Sequence, residues 1–296
     1  VTQRTAHLGS TLLSLGAVLV AMVSFQSSAS IAQGLFASVG PSGAAGLRLL
    51  TAAIMLAAVF RPWRSWPTRQ AWRPILVYGA SVGVMNHLFY NSLARVPLGL
   101  AVALEFTGPL AVAMAGSRRP IDFLWIALAL GGLLLILRPD QAAAHPLDPI
   151  GVAFALAAGV CWAIYIVFGQ KAGGEHGMQS TAWGMIIAAL VGAPYGLIQA
   201  GPAIFTPGVL LVGVVIGFLG SAFPYALEMV ALTRLPARTF GILMSLEPAA
   251  GALAGFVLLH QVLSPGQWLA IGAVVAASIG ATATIRSKTP VISGDL

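Results

Sequence analysis

"AVALEFTGPLAVAM", residues 101–114, sets one carboxylate, Glu105, and one proline, Pro109, in a run that is otherwise apolar or uncharged. Proline has no N–H to give the carbonyl four residues back, and its ring clashes with that carbonyl. Here that carbonyl belongs to Glu105, so the charge and the freed backbone fall on one residue. Free backbone at membrane depth is tolerated only where it is buried in protein or lines a wet cavity. A charge near the bilayer centre costs about 2.5–3.5 kcal/mol on insertion scales. The pair therefore reads as part of a cavity wall in a membrane protein. There Glu105 can bind a cationic group, carry a proton, or alternate between the two. The blander alternative is a structural carboxylate paired with a cation such as Arg48.

The whole chain names the same solvent. Of its 296 residues, 58% are hydrophobic and 8% are charged, where a soluble domain carries about 25% charged residues. Mean hydropathy is +0.91. The net charge of +7 does not read as nucleic-acid binding, because the basic residues lie singly or in pairs between apolar runs. Basic connections between spans are what membrane topology predicts. A single cysteine, Cys161, excludes a disulfide framework, and no zinc-like spacing occurs. The first apolar run reads as a span, being too long for a signal-peptide core and closed by no small-residue cleavage site.

A span takes roughly 17–25 mostly apolar residues. Ten are expected, at about 10–33, 43–60, 74–94, 97–116, 121–137, 149–169, 180–199, 207–228, 237–259 and 265–285. One alternate set of connections then holds Arg4, Arg61, Arg64, Arg69, Arg73, Arg118, Arg119, Lys171, Arg234, Arg238, Arg286 and Lys288. The other set holds only Arg95 and Arg138. Twelve cations against two place both termini in the cytoplasm.

The stretch also has an echo. "RVPLGLAVALEFTGPLA" (95–111) and "RLPARTFGILMSLEPAA" (234–250) share Arg-x-Pro and a later Pro at an offset of 139. "FQSSASIAQ" (25–33) aligns more weakly with "WAIYIVFGQ" (162–170) at an offset of 137. The fold class expected is an all-α membrane protein, with ten transmembrane helices as two inverted five-helix repeats, residues 1–145 and 146–296. Five is odd, so the halves take opposite orientation. Secondary transporters use this plan, with the site at the midplane and broken helices lining it. Pro109 and Pro248 mark the two expected helix breaks, and Met244 is the counterpart of Glu105.

Other polar residues inside spans carry two readings each. Glu247, beside Pro248, either lines the cavity or is structural. Glu228 reads as a cytoplasmic-end partner of Arg234. Asn86 and Tyr90 are four apart and share a face, as do His87 and Asn91. That stripe should face the bundle interior, although an intramembrane His is more often a packing residue. Trp162 and Tyr165 can wall a substrate or anchor an interface. Gln26, Ser27 and Ser30 give the first span a small polar face that also suits helix packing. Arg48 can snorkel or meet a substrate carboxylate. No nucleotide-binding loop, metalloprotease motif or nucleophile elbow is present, so a secondary transporter without cofactor or metal fits, and an enzyme does not.

"GLAVALEFTGPLAVA" (99–113), "SRRPIDF" (117–123) and the runs at 161–177, 224–249 and 272–280 resemble the EamA-type branch of the drug/metabolite transporter superfamily, over residues 15–285. Within it they are similar to bacterial exporters of threonine and homoserine. The resemblance implies two inverted repeats in the inner membrane. It also implies export of small neutral amino acids, coupled to protons, through a cavity formed by helices 1, 3, 4, 6, 8 and 9. The family repeat commonly carries Glu where this chain has Gln261, a change expected to matter structurally only. Expected partners are an amino-acid substrate, protons and the lipid bilayer; a homodimer is compatible, and nucleic acid is not expected. The rival within transport is other cargo: another amino acid, a nucleobase-like metabolite or a cationic drug. The rival outside transport is a membrane receptor or scaffold.

Overall fold

A computed structural model describes residues 2–64, 66–115, 120–136, 147–176, 178–224, 227 and 244–284. Among them the regular structure is all helical, with no strand. The elements are α1 (Thr2–Gln33), α2 (Phe36–Phe60), α3 (Arg69–Leu93), α4 (Leu98–Glu105), α5 (Thr107–Met114), α6 (Pro120–Ile136), α7 (Pro149–His176), α8 (Met178–Ala200), α9 (Pro207–Gly217), α10 (Glu247–Leu259) and α11 (Pro265–Thr284). Glu228, Arg234, Pro236 and Arg238 lie outside the described residues, as do Arg118, Arg119, Arg138, Arg286 and Lys288.

Lipid offers backbone groups no hydrogen-bond partners, so a spanning segment must bond to itself, as a helix does. Residues 16–33, 36–60, 149–169 and 179–205 are each long and apolar enough to cross a bilayer, and shorter apolar helices accompany them. Polarity runs inside out. Ile54, Phe123, Leu190, Ile198, Leu211 and Val257 are exposed, while Gln26, Asn86, Glu105 and Glu247 are buried. A soluble protein keeps such apolar residues inside and its carboxylates out.

At the centre stands α4, with all eight residues buried and α3, α7, α10 and α11 packed around it. A helix apolar on every side belongs in such a position. Helix α2 starts earlier than the apolar run at 43–60 predicts. It includes a kink at Gly40, whose φ of 70° precedes Pro41. Glycine takes this left-handed region without strain.

Contacts tie the connections together at two opposite ends. At one end Arg95 pairs with Asp148 at 2.7 Å, and Gln261 Oε1 accepts from Leu98 N–H at 2.9 Å. Gln261 thus caps an otherwise orphan donor at the start of α4, a structural task. The α3–α4, α6–α7 and α10–α11 connections therefore share this end. Here Ser264 and Gln267 also exchange hydrogen bonds at 2.9 and 3.2 Å, a capping box that starts α11. At the other end Trp66, Trp72 and Trp183 form an aromatic cluster, with ring centroids 5.0–6.3 Å apart. It joins the α2–α3 and α7–α8 connections.

Candidate functional site

Between α4 and α5 the helix is interrupted at Phe106, three residues before Pro109. Phe106 keeps right-handed dihedrals, so bonds are lost without a reversal of the chain. Thr107 Oγ1 donates to the Leu104 carbonyl at 2.6 Å. The Glu105 carbonyl, which Pro109 frees, faces Gly159 of α7; a methyl group added at Gly159 would stand 2.6 Å from its oxygen. On the return side, a methyl group added at Gly108 would overlap the Gly159 carbonyl. Two glycines thus let α7 press against the interruption, as small residues do in membrane helix packing. Trp162 stands beside it, edge-on to Phe106 with ring centroids 5.7 Å apart.

The Glu105 side chain is 6% exposed, and so is that of Glu247. Glu247 opens α10, where the helix dipole favours a negative charge. Pro248 follows it in the first turn, a position where a missing N–H breaks no internal bond. One turn further, Gly251 lies against Gln26 of α1: a methyl group there would be 3.4 Å from Gln26 Oε1. Gln26 is itself buried.

Arg48 of α2 is half-buried. Its guanidinium donates to the Gly220 carbonyl and, at 3.4 Å, to Ser221 Oγ. It also lies 5.7 Å from the Tyr90 ring centroid and 6.0 Å from that of Phe25. Glu105, Glu247 and Arg48 interact electrostatically. Yet the one ion pair among the described residues is Arg95–Asp148. Arg48 is held by backbone, and the structural pairing of Glu105 with Arg48 is not what the geometry contains.

The polar stripe of α3 divides. Asn86 is buried and donates to its own helix at the Val82 carbonyl, 2.9 Å away. Tyr90 is fully buried, and its hydroxyl has no partner among the described residues. His87 turns instead to α8, with Nε2 2.6 Å from the Gly192 carbonyl and its ring edge-on to Tyr195. Asn91 bonds to Ser42 Oγ at 3.1 Å. Tyr165 packs on Tyr78, ring centroids 5.3 Å apart, one turn away from Trp162. Ser30 bonds to the Gln26 carbonyl at 2.9 Å, while Ser27 is half-buried.

Sequence reasoning missed the turn that holds Arg48. After α9 the chain continues as a π-helical turn, Phe218–Ala222, closed by the Phe223 N–H to the Phe218 carbonyl. Such turns leave carbonyls over and often mark functional sites. Ser24 takes the Leu219 carbonyl at 2.7 Å and Ser28 the Ile216 carbonyl at 2.9 Å. The available signal was "GFLGSAFP" (217–224), two glycines and a proline inside an apolar run.

Residues 149–283 match the EamA-like transporter family. The threonine/homoserine exporter RhtA of Escherichia coli (strain K12) is 50% identical over 279 residues, 94% of this chain and 94% of that protein. The threonine/homoserine exporter RhtA of Salmonella typhimurium (strain LT2) has the same identity and coverage. The uncharacterized transporter YwfM of Bacillus subtilis (strain 168) is 26% identical over 250 residues, 81% of this chain and 83% of that one. A protein of known crystal structure superposes with a TM-score of 0.59 at 21% identity, over 93% of this chain and 98% of its own; it speaks for the fold alone.

Proposed function

Because this chain belongs to the EamA-like transporter family, we propose that it exports small neutral amino acids, threonine and homoserine first, across a bacterial inner membrane. It is a membrane transporter rather than an enzyme. The cargo rests on one observation, the 50% identity with threonine/homoserine exporters over 94% of the chain, which includes every site residue named here. Ten spans in two inverted halves, residues 1–145 and 146–296, with both termini cytoplasmic, are the architecture we assign to it. The cation bias and the 139-residue echo support that assignment.

The mechanism we assign is alternating access with proton antiport. Glu105 carries the proton in one half-cycle and meets the substrate ammonium in the other, with Glu247 beside it as the second carboxylate. The opposite pole of the substrate meets donors from α2 and α3: Arg48, Asn86 and Tyr90. Its hydroxyl finds Gln26 or Ser27 on α1. Trp162 closes the wall at the interruption between α4 and α5. Tyr165 and His87 stand further out and serve packing in this reading.

The test is efflux of labelled threonine from proteoliposomes, with and without an imposed pH gradient. Wild type responds to the gradient. Glu105→Gln, which cannot exchange a proton, loses that response. Gradient-stimulated efflux equal in the two proteins removes Glu105 from coupling.

A further inference from the structure

Arg48 is a cation among spanning helices that no carboxylate reaches within ion-pair distance among the described residues. A guanidinium offers five N–H donors in a planar fork. Here it is engaged by the Gly220 carbonyl and by a long bond to Ser221 Oγ. Its neighbour Tyr90 carries a buried hydroxyl with no partner among the described residues, and a buried donor left alone is costly. A fork with donors left over beyond Gly220 and Ser221, beside the ring of a tyrosine whose hydroxyl has no partner among the described residues, matches a carboxylate, which accepts at two oxygens in the fork's own plane.

The other pole is carried by Glu105 and Glu247, which feel the Arg48 charge without closing on it. A separated cation and anion pair in a buried site suits a small zwitterion better than a lone cation or a neutral molecule. Resting on the amino-acid export reading, we infer that Arg48 and Tyr90 form the receptor for the cargo's α-carboxylate, and that the π turn's Gly220 carbonyl holds the guanidinium while the receptor is empty. Residue 220 must be small for this. A methyl group there would stand 2.8 Å from Arg48 Nε and would overlap Ser28 Oγ. The serines of α1 take two other carbonyls of this segment, those of Ile216 and Leu219, and the Gly220 carbonyl takes Arg48. On this account the chain selects α-amino acids with a free carboxylate and rejects amines, amino alcohols and cationic drugs.

Threonine counterflow in proteoliposomes tests this, with threonine amide and threoninol as competitors that keep the ammonium and the side-chain hydroxyl. In wild type both compete about 100-fold more weakly than threonine, the loss typical when one partner of a desolvated charge pair is removed. In Arg48→Gln that preference collapses toward one. In Tyr90→Phe it shrinks by about tenfold, as for one charge-assisted hydrogen bond. Each ratio is taken within one protein, so expression level does not enter. Equal competition by threonine and its amide in a wild type that carries threonine overturns the receptor and leaves the export reading standing. So does an unchanged preference in Arg48→Gln. If Arg48→Gln does not fold, the wild-type ratio and Tyr90→Phe decide. A wild type that carries no threonine at all sinks the export reading, and the receptor with it.

Discussion

Asp148 accepts one hydrogen bond from Arg95 at 2.7 Å and another from the Ile150 N–H at 2.8 Å, and these hold its carboxyl below the usual aspartate range, Arg95 first. The sign follows from linkage. A depressed folded value makes the folded state the weaker proton binder. Its stabilisation is therefore present above the unfolded value, about 3.9, and is lost as pH falls through the folded value. Both side chains are partly exposed, so solvent screens most of the attraction. We expect Asp148→Asn to lower the thermal midpoint in detergent slightly at pH 7, with the two proteins converging at acid pH. A difference of constant size down to the acid end removes the ionised pair as its cause; the bond with Ile150 does not enter, because an asparagine oxygen accepts it too. Arg95 is the described cation of the sparse set, and this pair is where its charge is spent.

At the scale of elements, the approach of α7 to the α4–α5 interruption is the tightest feature around the carboxylates. Gly159→Ala puts a methyl group 2.6 Å from the Glu105 carbonyl oxygen, and that oxygen is backbone that cannot rotate away. Overpacking of this kind costs about 1–3 kcal/mol. Gly131 in α6 is the matched control, because a methyl group there meets nothing within 4 Å. A helical Gly→Ala change with free space gains up to about 1 kcal/mol. Thermal unfolding in detergent should move the two variants in opposite directions, and movement in the same direction removes the crossing from this account. Glu105, Pro109 and Gln26 were legible because a charge, an amide or an imino acid is conspicuous in apolar sequence. Gly159 was not, as one of 34 glycines whose meaning comes from a residue 54 positions away. Asn86 and His87 look alike in sequence, yet about 100° of helix separates adjacent side chains, which turns one inward and the other onto α8. The π turn leaves no periodic trace, since it is defined by backbone bonds and by serines some 190 residues earlier.

The two ends of the molecule carry the question of orientation. Arg61, Arg64, Arg69 and Arg73 are exposed, with Trp63 and Trp66, around the α2–α3 connection. Trp and basic side chains favour the headgroup region, and the basic side is cytoplasmic. The opposite end joins three connections through Arg95–Asp148 and Gln261–Leu98, and its cation is paired with an acid. Single cysteines in a Cys161→Ser background read this directly. Ala94 and Arg64 are exposed at opposite ends. Ala94→Cys should react with a membrane-impermeant maleimide added to intact cells, and Arg64→Cys only after permeabilisation. A third position tests the inversion of the halves rather than the ends alone. Thr233 stands 139 residues beyond Ala94 and beside Arg234, the counterpart of Arg95. Halves of like orientation would put positions 94 and 233 on the same side, whereas inverted halves put them on opposite sides. Thr233→Cys should therefore behave as Arg64→Cys does. Labelling of Thr233→Cys from outside would break the inverted repeat, and with it the expectation that the helix breaks at Pro109 and Pro248 are equivalent points of two inverted halves.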